Sequence, residues 1–362
     1  MAGHRMANEA DVPSPALLVY PDRIAANLAR MVAMVGNPAR LRPHVKTHKM
    51  AEVVRMHLAV GIRKFKCATI AEAEMTAAAG ADEVLLAYQP VGPNIARLRQ
   101  LTEKFARTRF AALCDDDGAG VAMAAAFADA PHPLAVYLDI DCGHARTGIV
   151  PGAGAAECYA RLSTLRGITM AGLHVYDGHL HDSDPSLRRK NWEAAFAPVD
   201  ALRRQLGMPP MVAGGSPTFP LHAACTDREC SPGTTVLWDF GYGDKLADVP
   251  CQHAALLLTR VISRPGRNRL CLDLGYKAVS ADKAPPRARL LELPDAVHVV
   301  HNEEHLVVET PRAAEFAVGA CLYALPAHIC PTVSLHDEAV VVREGRAAER
   351  WAVTARRRQL TV

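Results

Sequence analysis

Residues 64 to 88 read KFKCATIAEAEMTAAAGADEVLLAY, and they contain one complete strand–helix–strand unit. Lys64 to Ala68 is a short run of strand length. Ile70 to Gly80 (IAEAEMTAAAG) is alanine-rich with a helical period, and Val84 to Tyr88 is a second apolar run. The same alternation extends in both directions. Further strand candidates lie at Leu41 to Val45, Phe110 to Cys114, Ala135 to Ile140, Met170 to Tyr176, Met211 to Ala213 and Thr235 to Phe240. Helical segments such as GVAMAAAFADA and AAECYARLSTL fill most of the gaps. Eight strands separated by helices over about 200 residues predict an α/β protein with a (β/α)8 TIM-like barrel, and a doubly wound open sheet is the competing arrangement.

Beyond Asp244 the helical period fades and strand-like runs follow one another at Ala254 to Ile262, Leu270 to Asp273, His298 to Val300, Leu306 to Glu309 and Ala339 to Val342. Prolines and glycines punctuate them, as expected of a mostly antiparallel β domain. Upstream of the barrel, Ala16 to Tyr20 reads as a strand and Asp22 to Val35 as an amphipathic helix. The expected division places the barrel at 22–245, inserted between two parts of a β domain at 1–21 and 246–362.

Composition narrows the function. The chain has 362 residues, half of them apolar and 22% charged, with 41 basic against 38 acidic side chains. That balance excludes a disordered chain, and it gives neither nucleic acid nor an anionic membrane a surface to bind, the only basic run being Arg356, Arg357 and Arg358. The first twenty residues lack an apolar signal core and no stretch is long enough to span a bilayer, so a cytoplasmic protein is expected. None of the ten cysteines forms a CxxC pair, which predicts reduced core thiols.

Four segments carry chemistry. Arg42 to Lys49 (RPHVKTHK) closes the first barrel strand, where catalytic side chains gather in such barrels, and a lysine such as Lys46 in a partly apolar site can form a Schiff base with a carbonyl cofactor. Asp139 to Ile149 (DIDCGHARTGI) pairs a glycine turn with Arg146, a permanent cation for a phenolate, carboxylate or phosphate. Val212 to Thr218 (VAGGSPT) offers small residues and hydroxyls after the seventh strand, the usual phosphate position of the fold. His328 and Cys330 stand two apart; in a strand both would point to one face and present an N/S pair to a divalent ion. Each segment also fits an ordinary reading: a solvated basic loop, two glycine turns, a chance HxC. The histidines and acids of GLHVYDGHLHD (172 to 182) and HNEEH (301 to 305) fit polar loops as well as ligands.

In order and spacing these segments, together with PGTTVLWDFGYGD and PAHICPTVSLHDEAVVV, resemble the D-threonine aldolase and D-serine dehydratase family, which shares the alanine-racemase fold of pyridoxal-phosphate enzymes. The resemblance implies that Lys46 binds pyridoxal 5'-phosphate, and that Arg146 faces the cofactor. It further implies that Gly214, Gly215, Thr218 and Tyr242 hold the phosphate, with Tyr176 beside the cofactor and the substrate. His328 and Cys330 match the two protein ligands of a divalent metal; the thiolate favours Zn2+ over Mn2+ or Mg2+. His305 is a candidate acid/base group near that metal. The implied substrates are β-hydroxy D-amino acids, and the implied assembly is a homodimer. Aldol cleavage to glycine and an aldehyde is the favoured reaction, because GLHVYDGH and the run after the metal pair look like the aldolase side. His-x-Cys in place of His-x-Asp argues for the alternative, a dehydratase giving a 2-oxoacid and ammonia. A racemase or a non-catalytic pyridoxal-phosphate carrier are further alternatives, and retention of the β domain counts against the carrier.

Overall fold

The computed structural model describes residues 3–362; residues 1 and 2, which the expected β domain includes, lie outside them. Seven parallel strands form one sheet in sequence order: β2 (Lys64–Cys67), β3 (Glu83–Leu86), β4 (Arg109–Cys114), β5 (Leu134–Ile140), β6 (Ile168–Val175), β7 (Met211–Ala213) and β8 (Glu229–Cys230). Helices cross over between them. The first, Ile70–Ala78, shows why this sequence turns helical there: the Thr69 hydroxyl accepts from the Glu72 N–H, while the Glu72 carboxylate accepts from the Ala68 N–H at 2.6 Å. That reciprocal cap satisfies donors which the first helical turn leaves open.

Two sequence expectations are corrected. Leu41 to Val45 is not a regular strand, yet it closes the barrel. Leu41 bridges to Cys230 of β8 and His44 to Lys66 of β2, both parallel. Pro43 has no N–H to continue a ladder, and its carbonyl accepts from the Lys66 N–H at 2.9 Å instead. Thr235 to Phe240 is not the eighth strand. That place belongs to Glu229–Cys230, whose polar letters conceal it, while Thr234–Val236 is a 3-10 turn and Phe240–Gly243 a short helix. The apolar residues Val236, Leu237 and Trp238 are buried outside the barrel sheet, Trp238 against Leu246 and Val249.

That unit is a nine-stranded, mostly antiparallel sheet. Its centre is β9 (Ala255–Ser263), flanked by β1 (Ala16–Val19) on one side and by β14 (Cys321–Pro326) on the other, with β10 (Arg269–Leu272) continuing from the far end of β9. β1 pairs in parallel with β15 (Glu338–Arg343), so the strand that precedes the barrel is a stave of the sheet that follows it. β11 (Ala288–Leu290), β12 (Val297–His301), β13 (Leu306–Glu309) and β16 (Arg346–Ala352) complete the sheet. β11 escapes the sequence pattern because it is short and β16 because it carries charges on an exposed edge, whereas β14 is six residues of buried apolar chain that the sequence reading passed over. Among the described residues no helix is long and apolar enough to cross a membrane.

Inside the barrel the period of two fixes what points inward. Leu85, Ala111, Leu113, Tyr137 and Val212 form an apolar layer. Below it, Arg42 is 2% exposed and binds Glu83 of β3 at 2.7 Å and Glu229 of β8 at 2.6 Å. Arg42→Ala removes the buried guanidinium that bridges two carboxylates, of which Glu83 keeps Arg109 and Glu229 keeps Lys64, and the loss of charge-assisted bonds of this kind costs ~1.5–3 kcal/mol. Urea unfolding should register a drop of that size, whereas a drop under 1 kcal/mol would show that the seam does not depend on this side chain.

Candidate active site

Above the apolar layer the inward positions turn polar. Two residues past Tyr137 on β5 stands Asp139. One residue before the end of β6 stands His174, with Tyr176 just beyond; Lys66 takes the matching place on β2. His174 is the register neighbour of Asp139, and its Nδ1 lies 2.7 Å from the Asp139 carboxylate. Its Nε2 therefore faces the Lys66 ammonium, 3.4 Å away. Burial raises the Asp139 pKa, but His174, Thr147 and Lys66 outweigh it and leave the carboxyl below its ordinary range.

A cavity of about 1010 Å3 opens over this layer, and Lys46, Arg146, Tyr176, Gly215, Tyr242, His328 and Cys330 all line it. Lys46 leaves the closing segment on a 3-10 turn whose N-terminal residue, His44, accepts from the Lys46 N–H through Nδ1 at 3.3 Å. Burial, then Lys46 and Lys66, push the His44 pKa well down, so the ring is neutral with its proton on Nε2. Lys46 Nζ lies 5.6 Å from the Tyr176 ring centre, the Arg146 guanidinium 4.9 Å and Lys66 Nζ 5.5 Å, so three cations share one aromatic ring. Arg146 is carried by a loop that turns back at Gly148, where φ is +99° and a Cβ would lie 2.7 Å from the Asp141 nitrogen.

The His328–Cys330 pair is not in a strand. His328 precedes the short helix Ile329–Val333, and Cys330 sits in its first turn. Asp239 anchors this helix to the barrel, accepting from the Tyr242 N–H at 3.0 Å and from the Ile329 N–H at 2.9 Å. His328 Nδ1 meets the Asp282 carboxylate at 2.6 Å, which leaves Nε2 for Cys330. Burial lowers the His328 pKa, but the bonds and charges of Cys330 and Asp282 prevail and lift it to about 9. Burial raises that of Cys330, but His328 and Lys46 prevail and lower it, and the Thr47 hydroxyl lies 3.2 Å from the sulfur.

Three sequence-predicted residues stand elsewhere. Thr218 is fully buried and donates to Asp177 at 2.9 Å, behind the cavity wall. Gly214 also lies behind it, at φ +84°, and a Cβ there would come within 2.3 Å of the His222 ring. His305 is exposed in the turn between β12 and β13, outside the cavity lining, because the hairpin carries HNEEH away on the far edge of the sheet. Sequence reasoning missed Lys66, Asp139 and Asp282. A lysine between Phe65 and Cys67 in a period-two strand was the available sign for the first.

The lining fits the two groups implied by the resemblance. Uncommitted amine and guanidinium groups, at Lys46 and Arg146, sit beside the small residues Gly215 and Ser216 after β7, which suits a phosphorylated carbonyl cofactor. His328, oriented by a carboxylate, and a thiol of lowered pKa form a donor pair for a divalent ion. Among the described residues no group of three or more His, Cys, Asp or Glu side chains is placed to hold a metal ion.

Comparison with known proteins follows the same division. Residues 19–238 match the alanine racemase N-terminal domain, and residues 254–342 match a putative serine dehydratase domain. The chain is 29% identical over 360 residues to a D-threonine aldolase of Arthrobacter sp, covering 96% of this chain and 93% of that one. It is 27% identical over 367 residues to a 3-hydroxy-D-aspartate aldolase of Paracoccus denitrificans, with the same coverage. The crystal structure of D-threonine aldolase from Filomicrobium marinum superposes with a TM-score of 0.88 at 27% identity, over 96% of each chain.

Lys66 carries a cost that can be measured. Burial, then the charge of Lys46, lower its pKa from 10.5 to about 7. The unfolded chain therefore binds more protons between pH 7 and 10.5, and stability rises with pH across that window. Lys66→Met should stabilise the protein at pH 7 by ~4 kcal/mol, and the gain should fade toward pH 10.5. Equal unfolding free energies for the two proteins at pH 7 and at pH 10 would contradict this.

Proposed function

The chain belongs to the alanine racemase N-terminal domain family, and from that premise we propose that it is a pyridoxal-phosphate- and divalent-metal-dependent lyase that cleaves β-hydroxy D-amino acids to glycine and an aldehyde. One observation carries the reading: Lys46 and the His328–Cys330 pair, supplied by different structural units, face the same cavity. The names of the Arthrobacter and Paracoccus relatives support it. On this reading the barrel spans 22–245 and the β domain 1–21 and 246–362. A homodimer belongs to it as well, with the exposed Val297, Val299 and Val300 on edge strand β12 as an available surface.

Each residue has a task. Lys46 is the amine that ties the cofactor carbonyl, held in place by the His44 contact to its own N–H. Arg146 offers a planar guanidinium with paired N–H donors. Gly215, Ser216 and Tyr242 line the side expected to receive the phosphate. His328 and Cys330 would hold the ion, and the thiolate favours Zn2+. Bound there, pyridoxal phosphate supplies an electron sink for a bond breaking at Cα, and the ion supplies a Lewis acid for the β-oxygen. His44, whose Nε2 carries its proton, can donate a hydrogen bond into the cavity but cannot accept a proton there. Tyr176 walls the ring side, with the Lys46 and Arg146 cations over it.

Cys330 supports a second reading, the dehydratase, as does the match of residues 254–342 to a putative serine dehydratase domain. A product assay separates the two: D-threonine and D-serine should yield glycine with the corresponding aldehyde for the lyase, and 2-oxoacid with ammonia for the dehydratase. The purified protein should be yellow and lose its visible band as Lys46→Ala. A chelator should stop turnover without bleaching that band, and undiminished turnover after metal removal would end the role given to His328 and Cys330.

A further inference from the structure

His328 offers an ion a lone pair only when its ring is turned and protonated in one particular way. A neutral imidazole has one donor nitrogen and one acceptor, and the hydrogen bond made at one of them decides which is which. Here that bond comes from Asp282. Its Oδ2 accepts from His328 Nδ1 at 2.6 Å, which leaves Nε2 on the side of Cys330.

Asp282 belongs neither to the barrel nor to the helix that carries Cys330. It lies in the loop between β10 and β11, and that loop is fastened to the helix Ile329–Val333 and its surroundings. The Ser280 N–H donates to the Thr332 hydroxyl at 3.1 Å, and Thr332 in turn donates to the His328 carbonyl at 2.8 Å. The Ala278 carbonyl accepts from His336 Nε2 at 2.8 Å, just past the end of the helix. Within the loop, the Ser280 hydroxyl donates to Asp282 Oδ1 at 2.5 Å and accepts from the Asp282 N–H at 3.5 Å. One carboxylate oxygen is thus held by the loop and the other is spent on the ring. Ser280 and Thr332 are buried, whereas the side chains of Asp282 and His328 keep 40% and 30% of their surface and both line the cavity. A pair as open as this contributes little to stability, so its effect lies in what it does to the ring.

We propose that Asp282 is a positioning residue for the divalent ion: through the His328 ring it aims Nε2 at the ion and strengthens the hold of His328 and Cys330 on zinc. This rests on the reading above that those two residues are the ligands. A carboxylate behind a ligating imidazole fixes its tautomer and orientation and makes the ring a stronger donor. It also supplies charge. An imidazole and a thiolate bring one negative charge to a divalent ion, and Asp282 brings a second; the exposed Lys283 ammonium, 4.0 Å from Oδ2, offsets little of it in water. Because both of its oxygens are committed, Asp282 acts through the ring and not as a ligand.

Zinc affinity, measured by competition with a chromophoric chelator on the cofactor-loaded protein, tests this. Asp282→Ala should weaken zinc binding about 10- to 100-fold, while the visible band of the cofactor and the thermal unfolding of the zinc-free protein stay as they were. Asp282→Asn keeps an acceptor for the Nδ1–H but not the charge and should lose less, and Ser280→Ala less again. Turnover lost in Asp282→Ala should return at saturating zinc. Zinc held by Asp282→Ala as tightly as by the unaltered protein overturns the proposal, and so does turnover that saturating zinc fails to restore. His328→Ala separates the two possible failures. If it loses zinc and Asp282→Ala does not, the proposal alone falls; if it binds zinc as tightly as the unaltered protein, the ligand reading falls and takes the proposal with it.

Discussion

The closing of the barrel across residues 41 to 44 is the constraint on which the rest depends. Neither edge of the seven-stranded sheet finds a regular eighth strand. Instead an irregular segment is fastened to β8 through Leu41 and to β2 through His44, with Pro43 accepting where it cannot donate. Arg42 secures the seam from below by binding a carboxylate on each side of it. Because Lys46 follows within two residues of His44, the geometry that closes the barrel also delivers the amine to its mouth. An edge left open would expose unpaired N–H and C=O groups and let that lysine wander.

Above the seam the barrel exchanges stability for chemistry. Its apolar layer gives way to Lys66, Asp139 and His174 in a space that tolerates charge only when it is paired. Asp139 and His174 satisfy each other, but Lys66 has a single neutral acceptor and faces Lys46 and Arg146. A buried like-charge arrangement of this kind opposes folding, and it is found at the end of the barrel where this fold keeps its reactive groups. The second unit completes the site from outside. Asp239 ties the helix of His328 and Cys330 to the barrel, and residues 355–362 cross the same junction.

Much of this was legible in the chain itself. Strands β2 to β7 announce themselves by short apolar runs between alanine-rich helices. RPHVKTHK and HIC stand out because reactive side chains interrupt otherwise apolar segments. β8 was concealed because its two residues include Glu229, which serves the Arg42 seam. The run TTVLWDF was misleading because burial outside a sheet produces the same apolar letters as burial within one. Thr218 and Gly214 also have tertiary neighbours that the sequence does not show: the first is tied to Asp177, and the second yields space to His222.

The sequence by itself determined the local patterns and the α/β class, and its family resemblance pointed to Lys46 and the His328–Cys330 pair. The first two follow from periodicity, and the last from the order of short motifs, all of them properties of neighbouring letters. The tertiary structure alone decided that β1 joins the sheet made by the last third of the chain, that Lys46 shares a cavity with a pair of residues nearly three hundred positions away, and that His305 does not. It also brought Lys66 under Tyr176 and Asp282 onto the His328 ring. Such meetings depend on how strands close and where loops return, and those are set by long-range packing that no local window of sequence contains.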